Sequence, residues 1–114
     1  MKLKRHFLME EKTSKVVPGE LKKAATRSNK VPIYHTRDKD PKTVYGYATN
    51  FKYSKGIMYC DLELPEIKGE RKVAVVPMMK LEQNPDGLLH NITVVSCLLT
   101  HNPADVRCFL SISS

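Results

Sequence analysis

Apolar and polar residues alternate most regularly in the middle of the chain, over residues 43–53 and 57–64. In the second segment every other residue from Met58 to Leu64 is apolar, so these side chains fall on one face. Alternation with a period of two is typical of a β-strand with one buried face. Because a short turn with Gly56 separates the two segments, they are predicted to form a β-hairpin.

The other segments with β-type patterns are short. Strands are predicted at residues 31–35, 72–76, 88–99 and 106–112. Polar loops separate them at residues 36–42, 65–71 and 100–105. Pro77 is expected to end a strand because proline lacks the amide hydrogen that a ladder needs, and residues 78–81 are expected to form a helical turn or a strand end. The pattern predicts a mainly β fold: a small antiparallel β-barrel or sandwich with one or two short helices and an N-terminal extension.

Residues 1–30 are predicted to be a basic N-terminal arm that precedes a single β domain at residues 31–114. Within the arm, the good helix formers of Glu20–Arg27 follow Pro18 and Gly19, which predicts a short helix. Residues 1–55 hold 14 Lys/Arg and 5 Asp/Glu, a balance of +9, whereas residues 56–114 hold 5 and 7, a balance of −2.

This basic front half indicates an acidic partner, either another protein or nucleic acid, although a solvated arm is the alternative. The candidate binding residues are the cations of the arm: Lys2, Lys4, Arg5, Lys12, Lys15, Lys22, Lys23, Arg27 and Lys30.

Several classes of protein are disfavoured by the composition. No apolar run approaches the roughly 18 residues of a membrane span, and no secretory leader is visible, so no membrane partner is expected. The three cysteines are an odd number with apolar neighbours, which predicts buried, reduced thiols. Cys97 and His101 are the only close pair of zinc-type ligands, and there is no glycine-rich phosphate loop. We therefore predict no metal site and no cofactor.

A histidine-bearing segment, a glycine-containing hairpin and a late Leu99-Thr100-His101-Asn102-Pro103-Ala104 stretch follow one another along the chain. This order resembles the prohead (capsid-maturation) serine proteases of tailed phages. In that family a strand ends in a Ser-Leu-Thr-x-x-Pro-Ala stretch, and Leu98 stands here in the place of its serine. The resemblance covers residues 31–108 and implies a closed or nearly closed β-barrel with flanking helices.

The family resemblance also implies a serine nucleophile that is activated by a histidine. His35 stands where the family has its histidine. The family nucleophile lies on the strand before the Pro-Ala stretch, yet residues 72–79 contain no serine, threonine or cysteine. Ser96 lies on the later strand. If the chain is active, His35 and Ser96 are the candidate catalytic residues, but the missing nucleophile argues against activity.

These observations favour a structural phage-head protein, for decoration, cementing or assembly, with a protease-like β fold. Its expected partner is a capsid protein or another virion protein, and its expected location is the virion after synthesis in the host cytoplasm. The first alternative is a prohead maturation serine protease or its accessory. The second is a basic nucleic-acid-binding β-barrel, against which stands the small number of aromatic residues among the cations of the arm.

Overall fold

The computed structural model describes residues 2–35, 44–65 and 72–110. Some predicted segments lie outside the described residues. These are the loop at residues 36–42, residue 43 at the start of the hairpin, residues 66–71 of the loop at 65–71, and residues 111–112 of the last strand. Along the chain the elements are β1 (Lys2–Glu10), α1 (Glu20–Arg27), β2 (Val31–His35), β3 (Gly46–Ser54), β4 (Ile57–Glu63), β5 (Ala74–Gln83), β6 (Leu89–Thr100) and a 3₁₀ helix (Val106–Cys108).

The six strands form one mixed sheet in the order β1-β4-β3-β2-β6-β5, which curls into a half-barrel. All neighbouring strands are antiparallel except β2 and β6, which are parallel. The prediction of a mainly β fold is therefore confirmed. The parallel pair was not predicted, because alternation along one strand carries no information about the direction of its neighbour.

The predicted hairpin is confirmed as β3 and β4, joined at Lys55 and Gly56. Met58, Cys60 and Leu62 of β4 are at most 1% exposed and face the core, as their spacing predicts. Helix α1 packs against the face of β3, β4 and β6 that carries these buried side chains. The predicted bounds of α1 are also confirmed.

The predicted arm at residues 1–30 differs from the structure. Residues Lys2–Glu10 form β1, an edge strand that pairs along its length with β4, and α1 contributes the fully buried Leu21 to the core. The alternation in β1 is interrupted by two register shifts, between Leu3 and His6 and between Phe7 and Met9. Because such bulges break the period of two, the sequence pattern did not indicate a strand. Residue 30 is thus not a boundary between an arm and a domain.

Two further predictions, the end of a strand at Pro77 and the strand at residues 106–112, differ from the structure. Strand β5 continues through Pro77 to Gln83, which is possible because β5 is an edge strand and needs amide hydrogens on one side only. The predicted strand at residues 106–112 begins instead as a 3₁₀ helix, because the Asp105 carboxylate accepts a hydrogen bond from the Arg107 amide and caps it. Within the described part of this segment, residues 106–110, Phe109 forms an isolated bridge to Ala74 of β5.

The open side of the half-barrel, between the edge strands β1 and β5, is closed by side chains. The His6 Nε2 atom of β1 lies 2.9 Å from the Val75 carbonyl oxygen of β5. The Cys108 thiol donates to the Leu8 carbonyl oxygen over 3.4 Å. The Arg107 guanidinium lies 4.3 Å from the centre of the Phe7 ring. The C-terminal segment therefore joins the two edges of the sheet.

Candidate functional site

The histidine that the family resemblance implies as a base lies in a row of residues without a nucleophile. His35 of β2 is in register with Leu99 of β6, and Leu99 is in register with Val75 of β5. Strand β5 is the strand on which the resemblance places the nucleophile, and Val75 there is fully buried. Neither Leu99 nor Val75 offers a hydroxyl or thiol group to His35.

Ser96 is not brought to His35 by the sheet. Because His35 pairs with Leu99, and neighbouring residues of a strand project to opposite faces, Ser96 lies on the other face of the sheet from His35. His35 itself is half-buried, with its ring centre 5.5 Å from that of Tyr45. The two candidate catalytic residues therefore do not form a dyad in this arrangement.

The cysteines are not activated for nucleophilic chemistry. Burial, followed by the nearby Cys108, raises the pKa of the Cys97 thiol to about 12. Burial raises the pKa of Cys60 further still, and that of Cys108 to about 11. Since the thiolate is the reactive form, all three thiols are inert at neutral pH. They are buried and unpaired with each other, as the composition predicts.

The nine cations predicted to bind an acidic partner are all exposed, namely Lys2, Lys4, Arg5, Lys12, Lys15, Lys22, Lys23, Arg27 and Lys30. The structure divides most of them between two surfaces. Three lie on β1, and three lie on the solvent side of α1. Lys12 and Lys15 lie in the turn that follows β1, and Lys30 lies before β2, with its Nζ atom 4.3 Å from the centre of the Tyr47 ring.

Two of the β1 cations, Lys4 and Arg5, border a cleft of about 520 Å³ on the outer side of the sheet. We refer to it as the outer cleft; it is lined by residues of β1, β3 and β4: Lys4, Arg5, Asn50, Lys52, Tyr53, Ser54, Tyr59, Cys60 and Asp61.

Two bulges on either side of β4 shape the outer cleft. Arg5 of β1 and Asn50 of β3 both have positive backbone φ angles, 57° and 52°, which residues other than glycine seldom adopt. Both lie at register shifts of their strands. Asp61 of β4 stands between them, since its carboxylate accepts a hydrogen bond from the Arg5 amide (3.2 Å) and one from Asn50 Nδ2 (3.0 Å). The bond from Asn50, followed by that from Arg5, lowers the pKa of Asp61.

Aromatic rings lie among the cations of the outer cleft. The Arg5 Cζ atom is 4.9 Å from the centre of the Tyr59 ring, and Lys52 of β3 is in register with Tyr59. The Tyr53 hydroxyl donates to Glu11 Oε1 over 3.1 Å, which fixes the ring at the border of the cleft. The cleft can therefore offer positive charge and flat apolar surfaces to one ligand.

Sequence reasoning found Lys4 and Arg5 but missed the residues of β3 and β4 in the outer cleft. The available signal was the hairpin alternation, because the face opposite Met58 and Leu62 carries Tyr59 and Lys52. What the alternation lacks is the pairing of β1 with β4, which brings residues more than 50 positions apart into one site.

Among residues 2–35, 44–65 and 72–110, no group of three or more histidine, cysteine or acidic side chains is arranged to hold a metal ion. The helices within these same ranges are too short or too polar to cross a bilayer. No protein-family model, no curated protein and no solved structure matches this chain.

Proposed function

We propose that this chain is a structural protein of a phage head, with a protease-like sheet that has lost its catalytic nucleophile. The observation that carries the proposal is the row His35–Leu99–Val75, in which aliphatic side chains occupy the strand where the resemblance implies a serine. A serine protease cannot work without its nucleophile, whereas the packing of the sheet does not depend on one.

The inert interior supports a binding role rather than a catalytic one. Burial raises the pKa of the Cys97 thiol to about 12, which argues against this cysteine as a substitute for serine. Ser96 lies on the opposite face of the sheet from His35, so His35 does not accept its proton in this arrangement. A fold of this kind acts by presenting a surface, and the proposed partner is a capsid protein or another virion protein.

The solvent side of α1 is the proposed contact with that partner. Its cations Lys22, Lys23 and Arg27 are exposed, while Leu21 and Ala24 on the other side are fully buried. Since the apolar side anchors the helix to the sheet, the three cations form a firmly held basic surface. Such a surface favours an acidic region on the partner.

The test is co-sedimentation of the purified protein with empty phage capsid shells at low and moderate salt. A variant with Lys22→Gln, Lys23→Gln and Arg27→Gln is compared with a control that carries Lys4→Gln and Lys52→Gln in the outer cleft. We expect stoichiometric binding that weakens with salt, is lost in the α1 variant and is kept in the control. A truncation at residue 31 is unsuitable, because it removes β1 and α1 from the core.

Two results contradict the proposal. If the protein binds to no shell, it has no structural role in a head. If it cleaves capsid or scaffold protein and His35→Ala abolishes the cleavage, the maturation protease is the better interpretation.

A further inference from the structure

The outer cleft is one of three neighbouring hollows along β1 that all include Lys4. The second hollow, of about 180 Å³, is bordered by Phe7, Arg107 and Phe109. The third, of about 190 Å³, extends to Lys2. We refer to these three hollows, which share Lys4, as the β1 band. A series of small hollows along one strand suits an extended chain with repeating units better than a single small molecule.

The charge of the outer cleft, the largest of the three hollows, favours an anionic chain. In the outer cleft three cations, Lys4, Arg5 and Lys52, face one carboxylate, that of Asp61, a balance of +2. Both Asp61 oxygens already accept hydrogen bonds, from the Arg5 amide and from Asn50 Nδ2. The carboxylate is therefore occupied in holding the two bulges, whereas all three cations are exposed to solvent.

The aromatic residues of the β1 band distinguish between two kinds of anionic chain. Tyr59 lies under the Arg5 guanidinium, and Phe7 lies under that of Arg107, with Cζ-to-ring distances of 4.9 and 4.3 Å. Nucleic-acid bases stack on aromatic rings and on guanidinium planes, and unpaired bases are available for this in single strands. An acidic peptide gains charge contacts from such a surface, but its acidic side chains carry no aromatic ring that stacks as a base does.

We propose that the β1 band binds single-stranded nucleic acid, with phosphates at Lys4, Arg5 and Lys52 and bases stacked at Tyr59 and Phe7. This inference goes beyond the proposed head role and does not depend on it. The cations assigned to the capsid contact lie on α1, whereas those assigned to the nucleic acid lie on the outer side of the sheet.

The experiment measures binding of a fluorescently labelled twelve-nucleotide oligodeoxythymidylate to the full chain by anisotropy. Neutralising three phosphates of a single strand gives a slope of log affinity against log salt of about −2, so affinity falls about 20-fold between 50 and 200 mM salt. Arg5→Gln reduces the magnitude of that slope by about 0.7, since it removes one phosphate contact.

Tyr59→Leu keeps an apolar side chain but removes the ring, and it weakens binding about 5- to 150-fold. The matched control is Lys22→Gln, which removes one exposed cation from α1 and leaves affinity and slope unchanged. Denaturant unfolding of each variant confirms that the comparison is made between folded proteins.

Three results overturn the inference. The first is no salt-dependent binding of the oligonucleotide by the unmodified chain. The second is an equal loss of binding in Arg5→Gln and Lys22→Gln, which means non-specific charge attraction. The third is binding that a twelve-residue polyglutamate peptide displaces at equal concentration and that Tyr59→Leu does not weaken, which assigns the β1 band to an acidic protein segment instead. None of these results bears on shell binding through α1.

Discussion

The two faces of β4 contrast sharply although they alternate along seven residues. On the inner face Met58, Cys60 and Leu62 are at most 1% exposed and pack under α1. On the outer face Tyr59 and Asp61 border the outer cleft. The inner residues have a clear role in packing, whereas the outer ones are under no such demand. Asp61 holds the two bulges, whereas the Tyr59 ring and the nearby cations are the outer-face groups that the proposed ligand would contact.

The backbone is also irregular where the strands border the outer cleft. The outer cleft contains Arg5 and Asn50, whose positive φ angles are unfavourable for residues with a side chain. Both are held by one carboxylate, that of Asp61. Strands β1 and β3 thus depart from regular pairing where they border the outer cleft, and such distortions are common at binding sites.

The largest expected effect comes from comparing one substitution on each face of β4. Leu62→Ala leaves a cavity in the core and is expected to lower the free energy of unfolding by about 2–5 kcal/mol, measured by urea denaturation. Tyr59→Leu, on the outer face, is expected to change it by less than about 1.5 kcal/mol. The affinity of the folded molecules for the oligonucleotide should show the reverse order, with a larger loss in Tyr59→Leu than in Leu62→Ala. Equal destabilisation by the two variants would contradict the division into a packing face and a binding face.

The stability of the contact between β1 and β5 is expected to depend on pH through the buried His6. His6 is 7% exposed, and burial lowers its pKa below the ordinary 6.5, against the opposing effect of its hydrogen bond to the Val75 carbonyl. The folded state therefore binds fewer protons than the unfolded state below pH 6.5. Stability is complete above that pH and decreases as the pH falls toward the pKa of the folded state, by at most about 1.4 kcal/mol per pH unit.

Urea denaturation between pH 7 and pH 5 measures this effect of His6. The carboxylates with lowered pKa, Asp61 and Asp105, start from an ordinary value of 3.8 and do not titrate in this range. His6→Gln keeps an amide N–H that can donate to the Val75 carbonyl but cannot take up a proton. We expect the variant to lose much of the decrease. An unchanged decrease in the variant would place the pH dependence elsewhere.

The sequence pattern predicted those elements whose local signal is strong. The hairpin β3–β4 has regular alternation along β4 and a glycine in its turn. Gly46 also permits close strand contact, since a Cβ atom there would overlap the Glu63 carbonyl oxygen. Helix α1 has a run of good helix formers after a Pro-Gly pair. In each of these elements one principle acts on neighbouring residues, so the pattern is sufficient.

The outer cleft could be predicted only in part, because its residues meet through long-range pairing. Charge alone predicts Lys4 and Arg5 as candidate binding residues, but the sequence pattern predicts an arm there and not a strand of the sheet. The bulges of β1 interrupt its alternation of apolar and polar residues, so the sequence pattern does not indicate a strand there. The resemblance to prohead proteases drew attention to His35 and Ser96, which the register of β2 and β6 puts on opposite faces.

The smallest expected effect tests whether Asp61 builds the outer face by holding both bulges. Asp61→Asn keeps one acceptor oxygen and replaces the other with an amide group, so either the Arg5 amide or Asn50 Nδ2 loses its acceptor. Because these groups are accessible to water, we expect a loss of about 0.5–1 kcal/mol in the free energy of unfolding. The loss is measured by urea denaturation at pH 7, where the Asp61 carboxylate is charged.

A double-mutant cycle of Asp61→Asn with Asn50→Ala separates this bridge from the rest of the sheet. If Asp61 stabilises the bulge of β3 through Asn50, the double variant should lose less free energy of unfolding than the two single variants lose in sum. The reason is that the second substitution removes a bond that the first has already weakened. Strictly additive losses would mean that Asp61 does not hold the bulge of β3 through Asn50. The distortion of the outer face would then belong to the strands themselves, and the contrast between the two faces of β4 would rest on Tyr59 and its neighbouring cations alone.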